Sequence, residues 1–198
     1  MALFGDPGYI RGAVSRSDPA FTDFVIQSLL SSDQSPICKL SQATGVYNAE
    51  LLPLLAHPGD FITLQYQENG YITLPQNTTQ KTNSGQVYVY GTSCPIENDR
   101  LSTIHKVWDS QGTGGDRRGR LLGVWDFDDG QCYQINDGAI SKERQAAFSK
   151  AAITINPSGA DLWCQVDIRL PLDTGDRSPT VSANAFRNGP EKQSTLAW

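Results

Sequence analysis

Apolar and polar residues alternate most clearly in three stretches of the chain. From Phe61 to Gln67, Ile62, Leu64 and Tyr66 fall on one face and Thr63, Gln65 and Gln67 on the other. Gln86 to Thr92 alternates again, setting Val87 and Val89 against Tyr88 and Tyr90. The longest run is Leu162 to Leu170: Leu162, Cys164, Val166, Ile168 and Leu170 share a face, and Trp163, Gln165, Asp167 and Arg169 share the opposite one. A period of two with one apolar side describes antiparallel strands with one face on a core and one at water.

Turn signals separate these stretches. His57-Pro58-Gly59-Asp60 precedes the first strand. Asn69-Gly70 follows it as a hairpin-type turn, after which Tyr71 to Leu74 resumes the β pattern until Pro75. One short helix is expected from Ser141 as N-cap through Phe148. Thr22 to Leu30 reads as a short helix or strand, and periodicity does not decide which. Several strands punctuated by turns, with a lone short helix, predict a mostly β fold: an antiparallel β-sandwich with long loops over residues 1–172. Residues 173–198 are polar and aperiodic apart from Trp198, and are expected to form an irregular tail.

Composition agrees with that class. The 198 residues include 18 Gly and 11 Pro, which favour many short elements joined by turns over a helical bundle. The formal net charge of −5 and the absence of a basic stripe exclude nucleic acid as an expected partner. The densest basic run, Arg117-Arg118-Gly119-Arg120, is expected to be a solvated turn. No stretch is apolar for the length a membrane span requires.

Four cysteines, Cys38, Cys94, Cys132 and Cys164, contain no C-x-x-C pair, which argues against a zinc ribbon or thioredoxin-type site. An even count in a turn-rich acidic chain favours two disulfides, with three pairings open; four buried thiols are the alternative. A Cys132–Cys164 pairing would contribute about 3–4 kcal/mol in the chain-entropy picture. Asn77-Thr78-Thr79 is an N-glycosylation acceptor sequence, which fits an extracellular or cell-wall location. The beginning of the chain has no charged and apolar leader of the kind a signal peptide carries.

Candidate chemistry is sparse. Gly112 to Asp116 lacks the Gly-Lys-Ser/Thr ending of a phosphate loop and is read as a flexible loop. Asp126-Phe127-Asp128-Asp129-Gly130 gathers carboxylates without the spacing of a calcium loop, and is read as an Asp-Gly turn with an exposed acidic rim. Of the two histidines, His57 is expected to be exposed in its turn. His105 is expected to be structural, and is a weak candidate metal ligand. Tyr71, Trp108 and Trp125 are candidates for stacking on sugar rings; Trp and Tyr serve equally as core residues with one polar tip at water.

Several strings now carry a family resemblance: Pro58-Gly59-Asp60, Tyr66 to Gln76, Val87 to Thr92, His105-Lys106-Val107-Trp108, Gly112 to Asp116, Phe127 to Gln134, and Asp161 to Gln165. Together, over about residues 5 to 171, they resemble a family of secreted filamentous-fungal proteins of unassigned function. Members of that family begin with a histidine and carry a second one after the Glu-Asn-Gly turn. That arrangement on a β-sandwich is similar to lytic polysaccharide monooxygenases, where two imidazoles and the terminal amine hold copper. The resemblance implies oxidative cleavage of a polysaccharide such as chitin, cellulose or β-glucan. Here the chain starts at Met1, Tyr71 stands where the second histidine belongs, and the aromatic-rich closing strand is replaced by the polar tail. The expectation is therefore a monomeric, extracellular-type, polysaccharide-associated protein with no catalytic residue and no cofactor. Two alternatives stand beside it: a copper-dependent oxidative enzyme, with His105 as substitute ligand, and a product truncated at both ends with no activity.

Overall fold

The computed structural model describes residues 8–15, 17–22, 27–30, 32–43, 47–78, 83–96, 98–148, 161–172, 184–188 and 193–197. The expectations for the start of the chain, for residues 23–26, for Thr79 of the acceptor sequence and for Trp198 lie outside them. The fold is mostly β. Its strands are β1 (Gln27–Leu30), β2 (Phe61–Tyr66), β3 (Gln86–Thr92), β4 (Gly119–Asp126), β5 (Cys164–Arg169), β6 (Asn184–Asn188) and β7 (Gln193–Ala197). Among the described residues, the short helices α1 (Leu40–Ala43), α2 (Leu101–Ile104) and α3 (Ala139–Ala147), and a 3-10 turn at Pro75–Thr78, connect them. Among the described residues no helix is long and apolar enough to cross a membrane.

Every strand pairing is antiparallel. One sheet has the order β1-β7-β6-β3-β4, and β2 and β5 form a two-stranded sheet. The apolar faces predicted for the strands at Phe61 and Leu162 are the ones buried: Ile62, Leu64 and Tyr66 from β2, with Cys164, Val166 and Ile168 from β5. They pack against Val87 and Val89 of β3 and Phe127 beyond β4, so the main core fills the space between the two sheets. β2 and β5 thus hide one apolar face against β3 and β4, as the layers of a sandwich do.

Four expectations are corrected. First, the second face of β3 is not simply at water. Its register shifts between Val89 and Tyr90, and Tyr90 is buried in a second core with Ile37, Leu101, Ile104 and Trp108. The segment around α2 covers that face, which alternation along β3 alone cannot report. Second, Tyr71 to Leu74 is not a strand. The turn after β2 closes on itself, and β2 pairs with the distant β5. Third, the helix begins at Ala139 behind Gly138, so Ser141 is no cap. Fully buried, its hydroxyl donates to the Gln134 carbonyl (2.6 Å) and accepts from the Asn136 N–H (3.2 Å). Fourth, the expected irregular tail contains β6 and β7, with β6 on the edge of β3 that β4 leaves open. Strand pairing is made by backbone N–H and C=O groups, so a polar segment without apolar periodicity still completes a ladder.

Candidate functional site

Past β2, Asn69 (φ 50°) and Gly70 (φ 74°) both take left-handed conformations and reverse the chain. Glycine suits the second position because its φ of 74° is one that other residues adopt only under strain. The turn brings Glu68, only 3% exposed, under the following residues. Its carboxylate accepts from the N–H of Ile72 (2.6 Å), the N–H of Thr73 (3.3 Å), the Thr73 hydroxyl and, from a separate loop, the N–H of Gln134 (2.8 Å). Asn136 Nδ2 donates to Thr73 Oγ1 (2.8 Å), and a second suture joins the two loops. Glu68 is why Tyr71 to Leu74 cannot continue as a strand: the N–H groups of Ile72 and Thr73 are already taken.

Beside this hub the acidic run is structural. Asp128 receives both terminal nitrogens of Arg144 (2.8 and 2.9 Å), and the same guanidinium donates to the Cys132 carbonyl (2.8 Å). Asp129 accepts from the N–H groups of Gln131 and Cys132 (2.8 Å each) and of Gln165 (2.9 Å). Of the acidic rim expected there, Asp126 is exposed, whereas Asp128 and Asp129 are half-buried and tie the loop to α3 and β5. Cys132 and Cys164 are joined by a disulfide, and Cys38 and Cys94 are thiols. Beneath them the Tyr66 hydroxyl donates to the Phe127 carbonyl (2.9 Å); burial, then the charges of Asp129, Asp128 and Asp126, hold that phenol protonated far above its ordinary range.

The three sugar-stacking candidates fall in two places. Tyr71 is half-buried and meets Phe127 edge-on, with centroids 5.7 Å apart. Trp125, also half-buried, packs on the same core, two residues before Phe127 on the same side of the β4 ladder. Its indole lies over Gly123, where a Cβ would come within 2.2 Å of the ring. Trp108 belongs elsewhere. It is 2% exposed in the second core, donates to Asp116 Oδ1 (2.9 Å), and carries the Arg118 guanidinium 5.6 Å from its ring. A ring so enclosed offers no face to a ligand.

Arg118 corrects the solvated turn expected of the basic run. Its side chain is 17% exposed, pairs with Asp99 and Asp116, and donates to the Cys94 carbonyl (2.8 Å). The Gly112–Asp116 loop, read as flexible, is organised by Asp109, which accepts from Gln111 N–H (3.0 Å), Thr113 N–H (2.9 Å) and the Thr113 hydroxyl (2.7 Å).

The histidines are held apart. His57 is exposed in the turn before β2, beside Asp60 (3.4 Å). His105 follows α2 on the second-core side of β3. Its Nδ1 lies 3.3 Å from the Tyr90 hydroxyl, which accepts the Lys106 N–H (2.9 Å), and its ring is edge-on to Tyr88. Burial, then the Lys106 charge, lower its pKa to about 4, so the imidazole is neutral at pH 7. The position after the Glu-Asn-Gly turn is a phenol packed on Phe127. One group of potential metal donors converges among the described residues, Asp129 with Cys132 and Cys164. There the sulfurs are bonded to each other and Asp129 already accepts three backbone N–H groups.

Fold and site together define an antiparallel β domain, tied by a disulfide and by buried carboxylates that suture its loops. The chain belongs to the family described as "Domain of unknown function (DUF7492)", whose model matches residues 2–181. No curated protein and no solved structure matches it. Glu68, Arg118 and Arg144, around which the loops are organised, carry no motif. The one local signal was a glutamate directly before an Asn-Gly turn.

Proposed function

We propose that this chain is an extracellular-type, non-catalytic domain that associates with cell-wall polysaccharide through Tyr71 and Trp125. The observation that carries the reading is the placement of those rings. Both border the same core beside the buried Phe127, and each keeps part of its surface at solvent. Aromatic faces held by packing stack on the apolar faces of sugar rings at little entropic cost. The disulfide supports an oxidising compartment. Asn77 lies exposed at the 3-10 turn, where an oligosaccharide can be accommodated without disturbing the core. The copper-enzyme alternative is not adopted, because a phenol, Tyr71, stands where the second imidazole belongs.

The test is retention on insoluble chitin, cellulose and β-glucan, with Tyr71→Ala, Trp125→Ala and the double variant beside the natural chain. Retention on one of the glycans that falls in each single variant, and further in the double, is the expected result. Retention no greater than that of an unrelated acidic protein would overturn the reading. So would retention that the double variant leaves unchanged. Circular dichroism of each variant separates lost binding from lost fold.

A further inference from the structure

We propose that Cys38 and Cys94 form a second disulfide, linking the segment before α1 to the loop that leaves β3. Residues 35–38 run beside the start of α2: Ile37 N–H donates to the Asp99 carbonyl (2.9 Å), Leu101 N–H to the Ser35 carbonyl (3.1 Å), and Pro36 bridges Arg100. Cys38 sits one residue beyond the Ile37 bond and packs on the second core. Cys94 reaches the same point from the other side. Its carbonyl accepts from Arg118 Nη1 (2.8 Å), and that nitrogen also donates to Asp99 Oδ2 (3.2 Å). Asp99 Oδ2 in turn accepts the Ile96 N–H (3.1 Å).

Both cysteines are thus anchored to Asp99, one through its neighbour Ile37 and one through Arg118. Arg118 also packs on Trp108, a member of the core that Cys38 touches. Cys94 is exposed and its loop lies outside the strands, and a disulfide needs a Cα separation of about 4.4–6.8 Å. With Cys132 and Cys164 already joined, this pairing leaves no thiol behind.

The oxidant is a small-molecule disulfide of the glutathione class. Cys94, the exposed thiol, acts first: as thiolate it attacks one sulfur of the oxidant, forming a mixed disulfide and expelling one small-molecule thiolate. Cys38 then gives up its proton, attacks the Cys94 sulfur and expels the second thiolate, which takes that proton. Two protein thiols are oxidised and one small disulfide is reduced to two thiols. Burial, then the Asp99 charge, push the Cys38 thiol up to about 11, which makes it the slower, resolving partner.

The test is to equilibrate the folded chain in a glutathione disulfide buffer, alkylate it, digest without reduction and map the peptides by mass spectrometry. The expected result is a Cys38–Cys94 linked peptide in the monomer, lighter by about two mass units than its two thiol peptides. Neither residue should be alkylated. Cys38→Ser should leave Cys94 as a glutathione adduct, and Cys94→Ser should leave Cys38 alkylated. Complete alkylation of both residues while Cys132–Cys164 stays linked would overturn the proposal. So would a stable glutathione adduct on Cys94 of the natural chain, or a Cys94–Cys94 link between two molecules.

Discussion

Replacing Glu68 tests whether the turn after β2 is held by its carboxylate. The side chain is 3% exposed and accepts three backbone N–H groups and one hydroxyl, drawn from two loops far apart in sequence. Glu68→Ala removes every acceptor at once. A buried donor left unsatisfied costs about 1–3 kcal/mol. The Thr73 hydroxyl can rotate, and water can enter the space left by the side chain. Two to three donors therefore remain in deficit, and the loss is about 3–5 kcal/mol. At about 2–4 °C per kcal/mol for a chain of this size, the melting temperature should fall by roughly 6–20 °C. Glu68→Gln keeps the volume and one acceptor oxygen but turns an N–H toward a donor, and should cost about 1.5–3 kcal/mol. The assay is urea unfolding followed by circular dichroism with the Cys132–Cys164 bond intact, comparing midpoints at a common slope. A Glu68→Ala midpoint equivalent to less than about 0.5 kcal/mol of destabilisation, the range of an ordinary surface change, would refute the carboxylate as the organiser of this turn.

Three further outcomes follow from the same contacts. Replacing Cys132 and Cys164 together by Ala opens a cross-link spanning 32 positions and should lower stability by about 3–4 kcal/mol, read as a lower urea midpoint; an unchanged midpoint would contradict it. His105 has its folded pKa depressed to about 4 from an ordinary 6.5, so the unfolded chain takes up this proton first. Its contribution to stability is complete above pH 6.5 and is lost as pH falls from there toward 4. His105→Gln should flatten that limb of the stability–pH curve, and an equally steep limb in the variant would assign it to other groups. Arg118→Ala leaves Asp99, 8% exposed at its side chain, without its cation and should cost about 3–5 kcal/mol in thermal or urea unfolding. Arg118→Lys should recover only part of this, since an ammonium cannot reach Asp99, Asp116 and the Cys94 carbonyl from one planar fork; full recovery would reduce the site to simple charge pairing.

What could be read from the chain was local and periodic. The faces of β2 and β5 followed from alternation because one side of each packs on a core, and burial then repeats every second residue. The mostly β class followed from the same patterns and the turn residues between them. β3 was found, but its two-sided burial was not, because the residues covering Tyr90 come from positions 37 and 101–108. β4 went unread because Gly119, Arg120 and Gly123 interrupt its apolar pattern, and Gly123 is there to admit the Trp125 ring. Of the candidate residues, Tyr71 and Trp125 border one core, and Trp108 was indistinguishable from them until the fold enclosed it.

The sequence by itself determined the class, the composition of the core faces, the turn at Asn69-Gly70 and the inventory of groups able to do chemistry. Tertiary structure alone decided what those groups touch. A carboxylate before a turn became the anchor of two loops, an Arg in a basic run became the counter-ion of Asp99, and a polar tail became β6 and β7. The physical reason is common to all three. Alternation records one-sided burial and survives in the linear order of residues. Hydrogen bonds, ion pairs and strand edges are satisfied by whichever partner the fold brings near, and that partner leaves no mark in the neighbouring sequence.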